Sequence, residues 1–232
     1  MTRSANAGTA DGSTVAGVFG VVTDAQTYRN VLYLILAFPL GLVYYVVLLF
    51  GLTLGIGLSI LVVGLGVLLG TVIGSRYIAA FERRLANRLL ETAIAEPDDV
   101  EPDGDGVVAV VQAYLGAAST WKGLAFAMLK FWLGVLAFVL LVSFLGVGIE
   151  LSVLPLAPDG LFNVQVANWR VAESFETTTQ RALAVPTGLL LVLVSLHVLN
   201  AAARINAAIA SSLLGAGDDR TQGRNDGQSD SE

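Results

Sequence analysis

The chain has 232 residues, of which 55% are hydrophobic and only 14% charged, with a formal net charge of −6 and a mean hydropathy of +0.72. Globular proteins carry about 25% charged residues, so this composition excludes an ordinary soluble domain. The absence of cysteine excludes disulfides, thiol catalysis and cysteine-bound metals.

Residues 1–26 are predicted to form a polar tail. The segment 4–14 is small and polar, whereas a signal peptide has a basic start and then an apolar core. The apolar patch 15–22 is too short to span a membrane, and we interpret it as an interfacial segment.

The first apolar stretch predicts two membrane spans joined by a tight turn. No charged residue lies between Arg29 and Arg76, and one spanning helix needs only about 20 apolar residues. Gly51, Gly55 and Gly57 are typical of the turn between the two helices.

A basic amphipathic segment, RYIAAFERRLANRLLE, follows the second span. Its apolar residues recur at helical spacing and form one stripe, namely Ile78, Phe81, Leu85 and Leu89. Three arginines lie off this stripe and suit anionic lipid headgroups, namely Arg83, Arg84 and Arg88. The acidic segment 96–106 resembles part of a calcium loop but lacks the glutamate required at position 12. We therefore interpret it as a solvated linker, with a short amphipathic helix expected over 107–118.

Two further charge-free runs, 131–149 and 182–203, predict the third and fourth spans. The loop 150–181 separates them. The segment ARINAAIASSLLG, 203–215, continues the fourth span as a second amphipathic helix. Residues 215–232 are polar and are predicted to be disordered.

The two halves of the chain resemble each other. TYRNVLYLILAFPLG, from Thr27, aligns with TWKGLAFAMLKFWLG, from Thr120, at an offset of 93, and LANRLLE aligns with IASSLLG at an offset of 124. Each half begins with an aromatic–cation pair that anchors a helix at the membrane interface; these interface anchors are Tyr28, Arg29, Trp121 and Lys122. We predict repeats over 27–95 and 107–214, both entering the membrane from the same side as a parallel repeat. The alternative is chance similarity between leucine-rich helices.

These patterns predict an all-α integral membrane protein. Its four transmembrane helices form two tandem hairpins, each followed by a cytoplasmic amphipathic helix. Of the 13 lysines and arginines, only Arg170 and Arg181 fall in the 150–181 loop. Because positive charge is retained in the cytoplasm, we expect both termini inside and that loop outside a plasma membrane.

Polar residues inside spans are candidate functional residues. His197 and Asn200 share a helix face and could sense pH or a ligand, but we favour the interpretation that they form an interhelical hydrogen bond inside the bundle. Lys130 is explained by snorkelling to the inner interface. No Asp or Glu falls inside a predicted span. Glycines at every fourth position predict a helix-packing face, and these are Gly66, Gly70 and Gly74.

The motifs TYRNVLYLILAFPLG, FERRLANRLL, TWKGLAFAMLKFWLG and LHVLNAAAR together resemble the putative sensor domain family. That family is a four-helix membrane module found before bacterial two-component histidine kinases and as stand-alone proteins. The resemblance implies a sensor role but supplies no ligand or catalytic residues.

We therefore expect a non-enzymatic signalling module without a cofactor or metal, since no P-loop or nucleophile–base constellation is present. Its expected partners are the lipid bilayer, a cytoplasmic histidine kinase or regulator, and further copies of itself in a homo-oligomer, with no nucleic acid. The alternatives are a small channel or permease component and a membrane scaffold.

Overall fold

The computed structural model describes residues 20–104, 106–157, 161, 165–166, 169–170 and 177–216. The predictions for the polar tail before residue 20, for the tail after residue 216 and for most of the 150–181 loop therefore lie outside the described residues.

The described residues are mainly helical. The helices are α1 (Ala25–Gly57), α2 (Val62–Leu89), α3 (Val107–Gly116), α4 (Ala118–Leu140), α5 (Val147–Val153) and α6 (Thr178–Leu214). A π-helical turn, Leu141–Gly146, joins α4 to α5, so Ala118–Val153 is one helical stretch. Two-residue strands β1 (Gln165–Val166) and β2 (Trp169–Arg170) pair antiparallel.

Within the described residues, four helical stretches are long and apolar enough to cross a membrane: α1, α2, α4 through α5, and α6. This confirms the predicted number of apolar helices of spanning length. The predicted position of the first turn is wrong, because α1 continues to Gly57 and the turn follows it. Glycine is tolerated in this helix because it allows close packing: a Cβ added at Gly55 would collide with the side chain of Leu68 on α2.

The chain divides into two compact units, and α1, α4 and α6 each contribute to both. Unit 1 comprises residues 1–36 and 135–204, and unit 2 comprises residues 37–134 and 205–232. The buried apolar residues of unit 1 form two clusters, one around Leu151 and Leu154 and one around Leu193 and Leu196. Those of unit 2 gather around Tyr44, Leu48 and Ala127.

Within unit 2, α4 makes reciprocal close contacts with α1. A Cβ added at Gly41 would lie 2.7 Å from the carbonyl oxygen of Lys130, and one at Gly134 would lie 2.5 Å from the carbonyl oxygen of Ala37. Positions 41 and 134 are 93 residues apart, and so are positions 37 and 130. Gly41 of the first half thus meets the equivalent of residue 37 in the second half, and Gly134 meets residue 37 itself. This reciprocity is that of an isologous contact about a two-fold axis.

Residue numbers run in opposite order where α1 and α4 cross. Position 41 lies against 130 and position 37 against 134, so numbers rise along α1 as they fall along α4. Helix α4 also contacts α2, through Gly123 against Ala79 and Lys130 against Glu82. These contacts define how the helices cross within unit 2, and the parallel repeat across the membrane stays a prediction.

The buried faces of α2 and α6 have the same spacing. Those of α2 are Gly64, Val72, Ser75, Ala79, Glu82 and Ala86. The residues 124 positions later in α6 are all buried too, and they are Gly188, Leu196, Leu199, Ala203, Asn206 and Ala210. The predicted apolar stripe of α2 is not this face, since Phe81 is exposed and Ile78, Leu85 and Leu89 are only half-buried.

Candidate functional site

A buried ion pair joins α2 to α4 in unit 2. Lys130 Nζ lies 2.8 Å from Glu82 Oε2, and both side chains have no exposed surface. Snorkelling to the interface is therefore the wrong explanation for Lys130. Two carboxylates are fully buried, Glu82 in α2 and Glu150 in α5. Both lie just outside the predicted charge-free spans, which end before Arg76 and at Ile149.

The pair has aromatic neighbours on α1 and α4. Tyr44 of α1 places its hydroxyl beside the Glu82 carboxylate, and the Phe126 ring centroid lies 5.9 Å from Lys130 Nζ. A charge without its partner is very unfavourable in such a setting. The pair therefore fixes the register between α2 and α4, and it cannot be broken without moving one helix or neutralising one group.

A polar cluster around Arg76, near the middle of α2, connects this helix to the start of α4. Arg76 donates hydrogen bonds to the hydroxyls of Ser119 and Thr120, the latter at 2.8 Å. Its guanidinium carbon lies 5.3 Å from the ring centroid of Tyr114, and its Nη1 lies 3.8 Å from Asp99 Oδ1. Arg76 therefore binds α3, α4 and the acidic linker at once.

The acidic linker is attached to this cluster through Asp99. The sequence predicts a solvated linker and does not reveal this attachment. The Ser119 amide donates to Asp99 Oδ2 at 2.7 Å, and the Ser119 hydroxyl donates to Asp99 Oδ1. Burial alone would raise the Asp99 pKa, but these hydrogen bonds and the charge of Arg76 outweigh it and lower the pKa below 3.8. Arg83 Nη2 lies 3.2 Å from Glu96 Oε1.

The chain turns back from α2 into this linker at Asn87. Its side-chain oxygen accepts from the Ile94 amide at 2.9 Å, and its side-chain nitrogen donates to the Ile94 carbonyl at 3.1 Å. Glu91, just beyond the helix, has a φ of 53°, a left-handed conformation common where helices end. Among the described residues, no group of three or more His, Cys, Asp or Glu side chains could hold a metal ion.

In unit 1, Asn200 makes the interhelical contacts and His197 does not. Asn200 Nδ2 donates to Thr27 Oγ1 at 2.9 Å, and its Oδ1 accepts from Asn30 at 2.8 Å. His197 is exposed, and its Nδ1 lies 2.9 Å from the carbonyl oxygen of Leu193, one turn earlier in the same helix. The predicted interhelical hydrogen bond is therefore made by Asn200, whereas the described hydrogen bond of His197 stays within its own helix.

The family model described as "Putative sensor" matches residues 33–214, which is most of the chain. The chain belongs to this sensor family. Comparison with curated proteins and with solved structures found no match. Family membership and the four apolar helices make it a membrane protein, and membership indicates a sensor role.

The aromatic anchors of this sensor-family protein are fixed in matching ways. Tyr28 is 56% exposed and donates its hydroxyl to the Val22 carbonyl at 2.7 Å. Trp121 is 51% exposed and donates its indole N–H to the Leu115 carbonyl at 2.9 Å. Each ring bonds to the carbonyl six residues earlier in the chain. The second donor and its acceptor lie 93 positions after the first donor and its acceptor. Their cationic neighbours differ, since Arg29 is exposed and Lys122 half-buried.

The predicted glycine face of α2 is not a packing surface in the described residues. A Cβ added at Gly66, Gly70 or Gly74 would meet nothing within 4 Å. Helix α2 packs instead through the face that carries Ser75 and Glu82. Sequence reasoning missed Glu82 because its neighbours in FERRLANRLL are basic. The signal that could have found it is the small residues at 75, 79 and 86, which place position 82 on the same closely packed face.

Proposed function

We propose that this sensor-family protein is a non-enzymatic signalling module that receives a cue in the bilayer or the 150–181 loop. The cue would reach a separate cytoplasmic partner, such as a histidine kinase or regulator, through the α2 extension 76–89. One observation carries this proposal: α2 continues without a break from its apolar part into the extension, and the Glu82–Lys130 pair couples the extension to α4. A shift between the spans would therefore move the extension.

We also infer that the chain contains a duplicated hairpin. Thr27 accepts a hydrogen bond from Asn200, and Thr120 accepts one from Arg76. The threonines are 93 positions apart and their partners 124 positions apart, which are the two offsets found in the sequence. Repeated polar contacts of this kind, together with the repeated burial pattern of α2 and α6, support duplication over chance similarity.

Sidedness is proposed from charge alone. With only Arg170 and Arg181 in the 150–181 loop, the positive-inside rule favours cytoplasmic termini and a cytoplasmic extension. This placement would put the extension where a cytoplasmic partner can reach it.

The signalling role is tested by purifying the tagged protein from its native membranes in mild detergent and identifying bound proteins by mass spectrometry. Phe81 is 48% exposed on the extension, and Ile205, 124 positions later, is 59% exposed on α6. We expect a stoichiometric kinase or regulator whose recovery falls with Phe81→Ala and persists with Ile205→Ala. Recovery of the protein alone, or equal loss with both variants, would contradict the proposal.

A second candidate function is a small channel or permease component. The fully buried carboxylates Glu82 and Glu150 belong to helical stretches of spanning length and favour it, since ionisable groups buried among membrane helices often mark ion pathways. Solute or proton flux in liposomes that disappears with Glu82→Gln would move this function ahead of signalling.

A further inference from the structure

We propose that a cavity in unit 2 binds the phosphate group of an anionic lipid. The cavity has a volume of about 260 Å³ and lies between α2, α3 and the acidic linker. Its charged and aromatic lining consists of three arginines, one carboxylate and two tyrosines, namely Arg76, Arg83, Arg84, Glu96, Tyr77 and Tyr114. Three guanidinium groups around one cavity suit a phosphate, because their planar forks donate pairs of hydrogen bonds to its oxygens.

The anion that now faces Arg83 is easily replaced. The Arg83 side chain is 11% exposed, whereas its partner Glu96 is 77% exposed and 3.2 Å away. An ion pair with such an exposed member contributes little stability. The guanidinium is thus mostly removed from water, while its counter-charge lies in water on a non-helical linker. A phosphate that entered the cavity could displace Glu96 without disturbing a helix.

The buried face of α2 does not depend on Arg83 and Arg84. The positions 124 residues later carry Ala207 and Ala208, and helix α6 nevertheless has the same buried face as α2. Packing of a helix of this kind therefore succeeds without these two cations, and a ligand that only this half binds accounts for their presence.

The position of the cavity along α2 favours a lipid over a free phosphate. Arg76 is the first charged residue after the long apolar stretch that begins beyond Arg29, so the cavity opens where α2 changes from apolar to charged. Tyr77, 74% exposed, lies at the same level. Tyrosine and arginine together at this boundary are typical of the headgroup layer.

The test uses the full chain purified in dodecyl maltoside and measures Tm during titration with phosphatidylglycerol, phosphatidylcholine or inorganic phosphate. A ligand of the folded state raises Tm with its concentration. We expect phosphatidylglycerol alone to do so, with at least five-fold weaker apparent affinity in the Arg83→Gln/Arg84→Gln variant. Arg204→Gln, at an exposed arginine of α6, is the matched control and should bind as the wild type does.

An equal response to phosphatidylcholine, or full affinity in Arg83→Gln/Arg84→Gln, would overturn the proposal. An equal response to inorganic phosphate would overturn the assignment to a lipid. Glu96→Gln provides a second readout that keeps all the arginines. Because it removes the carboxylate that competes with phosphate for Arg83, phosphatidylglycerol should bind at least two-fold more tightly. Unchanged or weaker binding would count against the site. The measurement reads lipid binding alone, so its result does not depend on the signalling role.

Discussion

The Lys130 ammonium lies 2.8 Å from the Glu82 carboxylate, and neither side chain reaches the surface. The two residues come from α4 and α2 and are 48 positions apart in the chain. Because each charge is the main compensation for the other, the pair ties the basic extension of α2 to the third apolar stretch.

Removal of one partner should therefore be much more harmful than removal of both. We expect Lys130→Met to lower the free energy of unfolding by about 3–5 kcal/mol, because it leaves the Glu82 carboxylate buried without its cation. Lys130→Met/Glu82→Met should recover most of this loss. Thermal unfolding in detergent measures both, with Lys122→Met at a half-buried lysine as the control. If Lys130→Met is no worse than Lys122→Met, the pair does not hold the helices together.

The reciprocal glycine contacts predict which glycines tolerate a methyl group. Gly41→Ala and Gly134→Ala would each push a Cβ against the backbone of the opposing helix, at 2.7 and 2.5 Å. We expect each to destabilise the protein by about 1–3 kcal/mol. Gly66→Ala and Gly70→Ala, where the added Cβ meets nothing, should be neutral or slightly stabilising. A lower Tm for Gly66→Ala than for Gly41→Ala would contradict the packing described here.

Asn200 and His197 should differ in their contribution to stability. Asn200→Ala removes two hydrogen bonds to α1, and such interhelical bonds in membranes contribute about 0.6–1.7 kcal/mol each. His197→Ala removes an exposed ring whose Nδ1 contact lies within its own helix, so we expect a change within about 0.5 kcal/mol. Chemical unfolding in mixed micelles can rank the two variants. A larger loss for His197→Ala would show that the ring has a role beyond this contact.

Attachment of the acidic linker should depend on pH through Asp99. Its pKa is lowered below 3.8 in the folded protein, so its contribution is complete above the unfolded value and is lost as the pH falls through the lower, folded value. An environment-sensitive dye at Glu101→Cys, the single thiol in the chain, should report release with a midpoint below pH 3.8. Asp99→Asn should abolish this transition and release the linker at neutral pH. A transition that survives Asp99→Asn would assign it to another carboxyl group.

Sidedness can be read with the same single-cysteine approach. We expect Asp159→Cys to react with a membrane-impermeant maleimide in intact cells and Asp103→Cys to react only after permeabilisation, because the positive-inside rule places the 96–106 linker in the cytoplasm. Equal expression of the two variants is the control. The opposite labelling pattern would reverse the proposed topology.

The sequence predicted well those features that depend on composition along the chain. Length and the absence of charge are enough to identify four apolar helices, because backbone groups in a bilayer must be satisfied within each helix. The motif around Thr27 also indicated the family. The same approach placed the first turn too early and chose the wrong face of α2, because glycine and leucine occur on packed and exposed faces alike when the surroundings are lipid.

Sequence alone thus determined that this is a four-helix membrane protein of the sensor family with two similar halves. Only the tertiary structure decided that Gly41 and Gly134 are contact points, that α4 runs opposite to α1 where they meet, and that Lys130 pairs with Glu82. The physical reason is that hydrophobicity drives a helix into a membrane without selecting its neighbours. Neighbours are selected by close backbone approach at small residues and by the pairing of buried polar groups, and both depend on residues far apart in the chain.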